Sequence, residues 1–191
     1  MKWLCGALVC LASISAFAET YFEVLPLQTQ FRFEDSVSQT RAIQRYDGWL
    51  NLGFQYKQFR ATYTQSLKYD SSGAGTILIE TKKTDQIFSG GYRFLQIKSV
   101  ASSVGVSLEL FANAYAGATQ SEVVTKLFGT SSKSQSDPEA VFGLGSSAVG
   151  RAYLNQVYAV AEVDLKLLYS NNFSPQAVGA TGIKLGLGFF F

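Results

Sequence analysis

The sequence predicts an all-β fold: a closed, antiparallel, up-and-down barrel of eight strands that crosses a membrane. Three observations predict it. Apolar and polar residues alternate with period two along nearly the whole chain, and successive strand side chains point to opposite faces. The connections between these segments alternate between short and long. Only 3 prolines accompany 17 glycines, 15 phenylalanines and 10 tyrosines, which suits a sheet whose backbone donors are all paired. Beyond residue 18 no apolar run reaches the roughly twenty residues of a membrane-spanning helix. Lipid offers no partner to a free sheet edge, so a spanning chain of this kind must close on itself.

The strands follow in order. The first covers residues 21–34, with Leu25, Leu27, Phe31 and Phe33 outward and Gln28, Gln30, Arg32 and Glu34 inward. The second covers 42–56, with Tyr46, Gly48, Leu50, Leu52, Phe54 and Tyr56 outward and Arg45, Asp47, Trp49, Asn51 and Gln55 inward. Lys57-Gln58 is a tight turn. The third covers 59–69, with Phe59, Ala61, Tyr63, Leu67 and Tyr69 outward against Arg60, Thr62, Thr64, Ser66 and Lys68. Residues 70–75 are rich in Gly and Ser and read as a loop. The fourth strand runs over about 76–94, with Phe88, Gly90, Tyr92 and Phe94 outward. Its first half carries Glu80, Lys82, Lys83 and Asp85, too charged for lipid, and is expected to project beyond the membrane.

Residues 95–99 are expected to turn the chain. The fifth strand places Val100, Val104, Val106, Leu108, Leu110 and Ala112 outward and Ser103, Ser107, Glu109 and Asn113 inward. Residues 118–139 form the longest connection. Within it 131–138 has loop composition, while 123–128 suits an exposed hairpin. The sixth strand, 140–150, places Phe142, Leu144 and Ala148 outward. The seventh, 156–170, places Val157, Ala159, Ala161, Val163, Leu165, Leu167 and Tyr169 outward against Glu162, Asp164 and Lys166. After a last loop at 171–179, the eighth strand ends the chain. On it Thr181, Ile183, Leu185, Leu187, Phe189 and Phe191 share one parity and Gly182, Lys184, Gly186 and Gly188 the other.

Strand length supports a membrane-spanning assignment. Tyr46 and Tyr56, and likewise Phe59 and Tyr69, bracket ten positions. At about 3.3 Å per residue and a tilt near 40°, ten residues rise about 25 Å, the height of a lipid-facing band. Connections after the second, fourth and sixth strands are short. Those after the first, third, fifth and seventh are longer and polar, and an even count puts both termini at the short-turn end.

The first 18 residues are read as a secretory signal peptide, leaving a single barrel domain at 19–191. Lys2 supplies the positive start, residues 3–17 the apolar run, and Ala16-Phe17-Ala18 the small-x-small cleavage site. The 2 cysteines, Cys5 and Cys10, fall inside this segment. Neither has a small residue before it, as a lipoprotein site needs. The remainder therefore has no cysteine for a disulfide, a thiolate nucleophile or a metal site.

The last eight residues read Lys184-Leu185-Gly186-Leu187-Gly188-Phe189-Phe190-Phe191. This pattern resembles the C-terminal assembly signal of bacterial outer-membrane β-barrels, which the barrel-assembly machinery reads as the final strand. The resemblance gives Lys184, Gly186, Phe189 and Phe191 that role. With the leader, the alternation and the loop asymmetry, the chain resembles the small eight-stranded barrels of the OmpA-transmembrane-domain and OmpX kind. That resemblance implies the outer membrane as location, outer-membrane lipid and lipopolysaccharide as surroundings, the assembly machinery during insertion, and loops that meet a partner the sequence does not name.

A formal charge of +2 gives no pull toward nucleic acid. Charges concentrate at inward parity: Arg32, Glu34, Arg45, Asp47, Arg60, Lys68, Arg93, Glu109, Glu162, Asp164, Lys166 and Lys184. An unpaired buried charge is costly, and eight strands leave an interior only wide enough for side chains. These charges are therefore expected to pair into a plug, with a selectivity lining for a narrow pore as the alternative.

The chain has no histidine. Outer-membrane barrels that acylate or deacylate lipid A, or cleave phospholipids or proteins, rely on one as general base. Those mechanisms are excluded here, no motif marks a Ser-Lys pair, and no catalytic residue or cofactor is expected. The usual nitrogen and sulfur metal ligands are also missing. A non-enzymatic structural or interaction role is the expectation; a narrow pore and a histidine-free enzyme are the alternatives. A soluble barrel holding an apolar ligand would need the faces inverted, which the inward charges oppose.

Overall fold

The structure is a computed structural model and describes residues 20–35, 41–74, 77–101, 104–128, 130–171, 173 and 176–191. The signal peptide expected at 1–18 lies outside them, as do the side chains of Glu34, Trp49 and Val100 and residue 103. Nine strands form: β1 Thr20–Asp35, β2 Arg41–Tyr56, β3 Phe59–Ala74, β4 Ile77–Ala101, β5 Val104–Leu127, β6 Thr130–Gln135, β7 Glu139–Leu154, β8 Val157–Tyr169 and β9 Ala177–Phe190.

Among the described residues, eight of these strands close into an antiparallel ring. Each pairs with its neighbour in sequence, β5 passes directly to β7, and β9 returns to β1. Closure at the termini is explicit, since Phe191 donates its backbone N–H to the carbonyl of Thr20 at 3.0 Å. The ninth strand, β6, pairs only with the outer part of β5, from Glu122↔Gln135 to Leu127↔Thr130. It is exposed along its whole length and stands outside the ring.

The faces are inverted relative to a water-soluble protein. β8 shows this most simply, alternating exposed and buried from Val157 to Tyr169 with no charge on the exposed side. From Val157 to Leu167 the exposed set rises about 25 Å, enough to cross the hydrocarbon. Leu108, Val163, Leu185 and Phe189 are exposed, while Arg60, Glu109, Asp164 and Lys184 are buried. Exposed leucine and buried lysine are stable together only when the medium around the protein is more apolar than its interior, so this is a transmembrane β-barrel.

The two-residue turns Lys57-Gln58 and Asn155-Gln156 lie at the terminal end of the barrel. Their first residues have φ of 54° and 56°, as the primed hairpin turns demand. At the opposite end the strands themselves project. Residues 70–74, expected as loop, continue β3 and pair with β4 up to Ala74↔Ile77. Back at the terminal end, residues 95–99, expected as a turn, continue β4 to Ala101 in register with β5. The expected hairpin at 123–128 exists, but as the outer reach of β5 with β4 on one side and β6 on the other; residues 131–135, expected as loop, are that β6.

Three bulges reset the alternation. Between Val24 and Leu27 the β1–β9 register shifts, and Pro26, which has no N–H for the ladder, sits at the shift. Leu25 is consequently buried, not outward, together with Tyr21 and Glu23, while Phe22 and Val24 face lipid. Between Gly48 and Leu50 the β2–β3 register shifts. Beyond that bulge the expected parity reverses: Tyr46 turns into the lumen and Arg45 and Asp47 turn out, their side chains 65% and 60% exposed. The third shift, between Arg93 and Leu95, puts Phe94 and Leu95 both outward. Asp85, expected beyond the membrane, is instead fully buried in the lumen.

Candidate functional site

The lumen is the site, and the ring builds it one strand at a time. Inward positions contribute Glu23 from β1, Gln55 from β2, Arg60 from β3, Arg93 from β4, Glu109 from β5, Arg151 from β7, Glu162, Asp164 and Lys166 from β8, and Lys184 from β9. Some opposite charges meet side by side on neighbouring strands, as on β4–β5, β5–β7 and β8–β9. Others reach across the lumen, from β7 to β1, from β3 to β1 and from β3 to β8, because an eight-stranded interior is only wide enough for side chains.

These residues form one continuous chain of alternating charge. Arg93 contacts Glu109 at 3.1 Å, and Glu109 accepts from Nη1 of Arg151 at 2.6 Å. Nε of Arg151 donates to Glu23 at 2.8 Å, and Glu23 accepts from Arg60 at 2.5 Å. Arg60 reaches Glu162 at 2.8 Å, Lys184 bridges Glu162 at 2.9 Å and Asp164 at 3.2 Å, and Lys166 pairs with Asp164 at 3.1 Å. Arg151 is the hub, and its side chain is 0% exposed. Its planar fork serves three acceptors at once, the third being Gln55 Oε1 at 2.7 Å from Nη2. Every link neutralises a charge that burial would otherwise leave costly.

Apolar layers close the ring on both sides of this chain. At the terminal end Tyr21, Tyr153, Tyr158 and Phe190 pack together, edge to face in the pairs Tyr21–Tyr158, with centroids 5.8 Å apart, and Tyr153–Phe190, at 5.6 Å. The guanidinium of Arg151 lies 4.7 Å from the Tyr21 ring centre, a cation–π contact that ties the ion chain to this floor. A Cβ on Gly188 would lie 2.2 Å from Cζ and 2.4 Å from the hydroxyl oxygen of Tyr158, so this glycine provides the room the tyrosine occupies. At the outer end Arg32 pairs with Asp85 and stacks on Tyr46 at 4.2 Å and Phe173 at 5.1 Å. Ile87, Tyr115, Val141, Leu168, Phe173 and Val178 cluster there. On β1, between Glu23 and Arg32, the buried amides of Gln28 and Gln30 have no partner among the described residues. An unsatisfied buried amide costs about 1–3 kcal/mol, so this level is where ordered water is expected.

Of the lumen charges expected from sequence, the structure brings Arg60, Arg93, Glu109, Glu162, Asp164, Lys166 and Lys184 into the ion chain and Arg32 into its own pair. Lys68 pairs with Asp70 near the outer mouth. Arg45 and Asp47 are not in the lumen; they pair with each other on the outside at 3.0 Å. Sequence reasoning missed Glu23, Arg151 and Asp85. Among the described residues no cluster of acidic, His or Cys side chains is arranged to hold a metal. Lys184, Gly186, Phe189 and Phe191 are all on or at the end of β9, with Phe189 and Phe191 exposed and Lys184 in the ion chain.

No protein-family model matches the sequence, and no curated relative does. Solved structures share the architecture at low identity. Ail, the attachment invasion locus protein of Yersinia pestis, is 15% identical, with 91% of this chain and 97% of that one covered at a TM-score of 0.45. Neisserial surface protein A is 16% identical, with 92% and 100% covered at 0.46. The N-terminal β-barrel domain of Pseudomonas aeruginosa OprF is 17% identical, with 91% and 97% covered at 0.38.

Proposed function

We propose that this chain is a non-enzymatic outer-membrane barrel, exported through a leader cleaved after Ala18, whose lumen is sealed by its own ion pairs and whose outer end carries the interactions with the surroundings. One observation carries the reading: the unbroken chain from Arg93 to Lys166, which draws on seven of the eight ring strands. A conducting lumen needs a hydrated path and mobile ions, whereas these charges neutralise one another and lie between two apolar layers. The projecting reaches of β3, β4, β5 and β6, with Lys126–Glu80 at 2.8 Å and Lys133–Glu122 at 2.9 Å on their surface, offer a polar platform for a partner.

Planar-bilayer recording tests the seal. The wild-type protein is expected to give no discrete conductance steps in molar KCl. Regular single-channel steps from folded wild-type protein would favour the narrow pore and overturn the plug.

Assembly gives a second test. Phe191 is exposed at the end of β9, beside Thr20. Phe191→Ser removes a small part of the apolar surface, so refolding into detergent is expected to stay near normal. In cells the amount of heat-modifiable barrel in outer-membrane fractions is expected to fall sharply, because the assembly machinery reads the Phe189-x-Phe191 pattern. Undiminished assembly would mean that the pattern is not an operative signal in this chain.

A further inference from the structure

We propose that two copies of this chain pair through the outer-leaflet half of the β1–β3 wall, about a two-fold axis along the membrane normal, with Arg45 of each copy bonding Asp47 of the other. The inference rests on the outer-membrane reading above and adds a protein partner to a wall that otherwise meets only lipid. It starts from charge on the lipid side. The bulge before Leu50 turns Arg45 and Asp47 out of the lumen, their side chains 65% and 60% exposed.

The ladder fixes their depth. The row of Cα partners that leaves β5 at Leu110 passes through Val163, Ile183, Thr29, Asp47 and Leu67 and regains β5 at Gln120, ten residues further out. Ten residues rise about 25 Å at a 40° tilt, so each of the eight steps round the ring rises about 3 Å. Asp47 is one step below Leu67, and Leu67 is two residues below Tyr69. Asp47 therefore sits about 8 Å to the membrane side of Tyr69, and Arg45, two residues further out, about 3 Å. Counted the same way, Leu167 of β8 lies at the depth of Asp47, and Tyr169 near that of Tyr69. At one depth, then, one wall presents leucine and the opposite wall an ion pair.

The pair is not self-sufficient. Thr29 and Nε of Arg45 both donate to Oδ1 of Asp47, at 3.2 Å and 3.0 Å. Oδ2 of Asp47 and the Nη groups of Arg45 take no partner among the described residues. Gln65 and Gln86, Cα partners on β3 and β4, extend the polar patch on the same outward face. Acyl chains offer such groups nothing, and charge at this depth is costly unless paired. A lipid phosphate would satisfy Arg45 but repel Asp47. A second copy supplies a carboxylate for each guanidinium and a guanidinium for each carboxylate, the self-complementarity that an isologous contact requires. A two-fold axis along the normal keeps every residue at its own depth. Arg45 and Asp47 then differ by about 5 Å, within reach of an arginine side chain.

Shape agrees with charge. The β2–β3 ladder ends at Asp47↔Leu67, and the parting strands leave a cleft of about 910 Å³ beside Arg45 and Asp47. On the other side of β2, Pro26, Leu27 and Ile183 line a hollow of about 560 Å³. β2 is a ridge between two hollows, and the ridge of each copy enters the cleft of the other.

Cross-linking in outer-membrane fractions tests the pairing. With the cysteines of the sequence confined to residues 5 and 10, Leu67→Cys puts one thiol beside the axis, and Leu167→Cys puts one on the opposite wall. Oxidation with copper phenanthroline is expected to convert most of the folded Leu67→Cys protein to a product of twice the chain mass. Leu167→Cys and the unsubstituted chain are expected to give little. Added to Leu67→Cys, either Arg45→Asp or Asp47→Arg sets like charges against each other and is expected to cut the product about tenfold. Both variants should keep the heat-modifiable form, because both side chains are exposed. Co-expressed, with one of them tagged, the two variants carry opposite charges and are expected to cross-link to each other near the Leu67→Cys level, although neither regains its own Arg45–Asp47 pair. Equal product from Leu67→Cys and Leu167→Cys, a product containing a different protein, undiminished product in the single variants, or no product on co-expression overturns the interface and leaves the outer-membrane reading standing. Absence of folded, unsubstituted protein from the outer membrane overturns both.

Discussion

Arg151→Ala is expected to be the most damaging single change in the barrel. Removing the guanidinium leaves Glu23 and Glu109 facing each other's charge in a lumen where neither can reach bulk water, and it also strips Gln55 of its donor. Breaking a buried ion pair by deleting one partner costs about 3–5 kcal/mol. A urea titration of heat-modifiable protein in detergent is expected to show a loss of that size. Arg151→Met should be milder than Arg151→Ala, because a long apolar side chain still fills the space against Tyr21 and Tyr158. Double replacement of Arg151 by Met and Glu109 by Gln should recover part of the loss, since it removes with the cation one of the two carboxylates that the cation neutralised, Glu109 keeping Arg93 alone as its cation in the single variant. Wild-type stability in Arg151→Ala would mean that the ion chain is not formed as described.

Leu108→Arg is expected to have the next largest effect, through the opposite face. Leu108 is exposed on β5, one residue from the fully buried Glu109. An arginine on the lipid face costs about 2–4 kcal/mol near the bilayer midplane. The same substitution at Ser134, on the exposed β6 hairpin, should cost almost nothing. Folding titrations of the two variants into lipid vesicles make the comparison. Equal tolerance would contradict the assignment of β5 parity, and with it the membrane-facing surface.

The difference between these two sites shows which information the sequence carries openly. On β8 and on β9 from Thr181 onward the alternation runs unbroken, so Val163, Leu185, Glu162, Asp164 and Lys184 fall where period two puts them. β3 is equally regular, and its Phe59–Tyr69 spacing matches the lipid-facing band. On β2 the corresponding Tyr46–Tyr56 spacing misleads. The bulge before Leu50 inverts everything upstream, so Tyr46 faces Arg32 in the lumen while Arg45 and Asp47 face out. A one-residue slip exchanges the two faces of a strand, and nothing in Gly48-Trp49-Leu50 marks the slip by itself. The bulge at Pro26 was more legible. Phe22 and Val24 on one parity and Leu27, Phe31 and Phe33 on the other cannot all face lipid without a break, and proline marks the place.

Arg151 escaped for a different reason. A sixth strand that ends at Gly150 puts it in a turn, yet Val149, Arg151 and Tyr153 continue the inward parity and Ala152 and Leu154 the outward one, up to the Asn155-Gln156 turn. Asp85 lies among the charges of Glu80, Lys82 and Lys83, and composition alone does not separate it from them; its pairing with Arg32, 53 residues away, gives it a buried place. β6 carries no apolar pattern at all, and backbone pairing with β5 is what makes it a strand.

The lipid-facing wall and the proposed seal of the lumen both depend on closure of the ring, and a cross-link across the β1–β9 seam measures it directly. Val24 and Leu187 are Cα partners there and both face lipid. Partners across an antiparallel pair lie about 4.5–5.5 Å apart, within reach of a disulfide. With the cysteines of the sequence confined to residues 5 and 10, a Val24→Cys, Leu187→Cys variant in outer-membrane fractions is expected to oxidise to an intramolecular disulfide. It should run as a compact monomer that shifts only on reduction, while Val24→Cys with Leu108→Cys should form none. Failure of the first pair to cross-link in folded protein, or cross-linking only between molecules, would contradict a closed eight-stranded barrel.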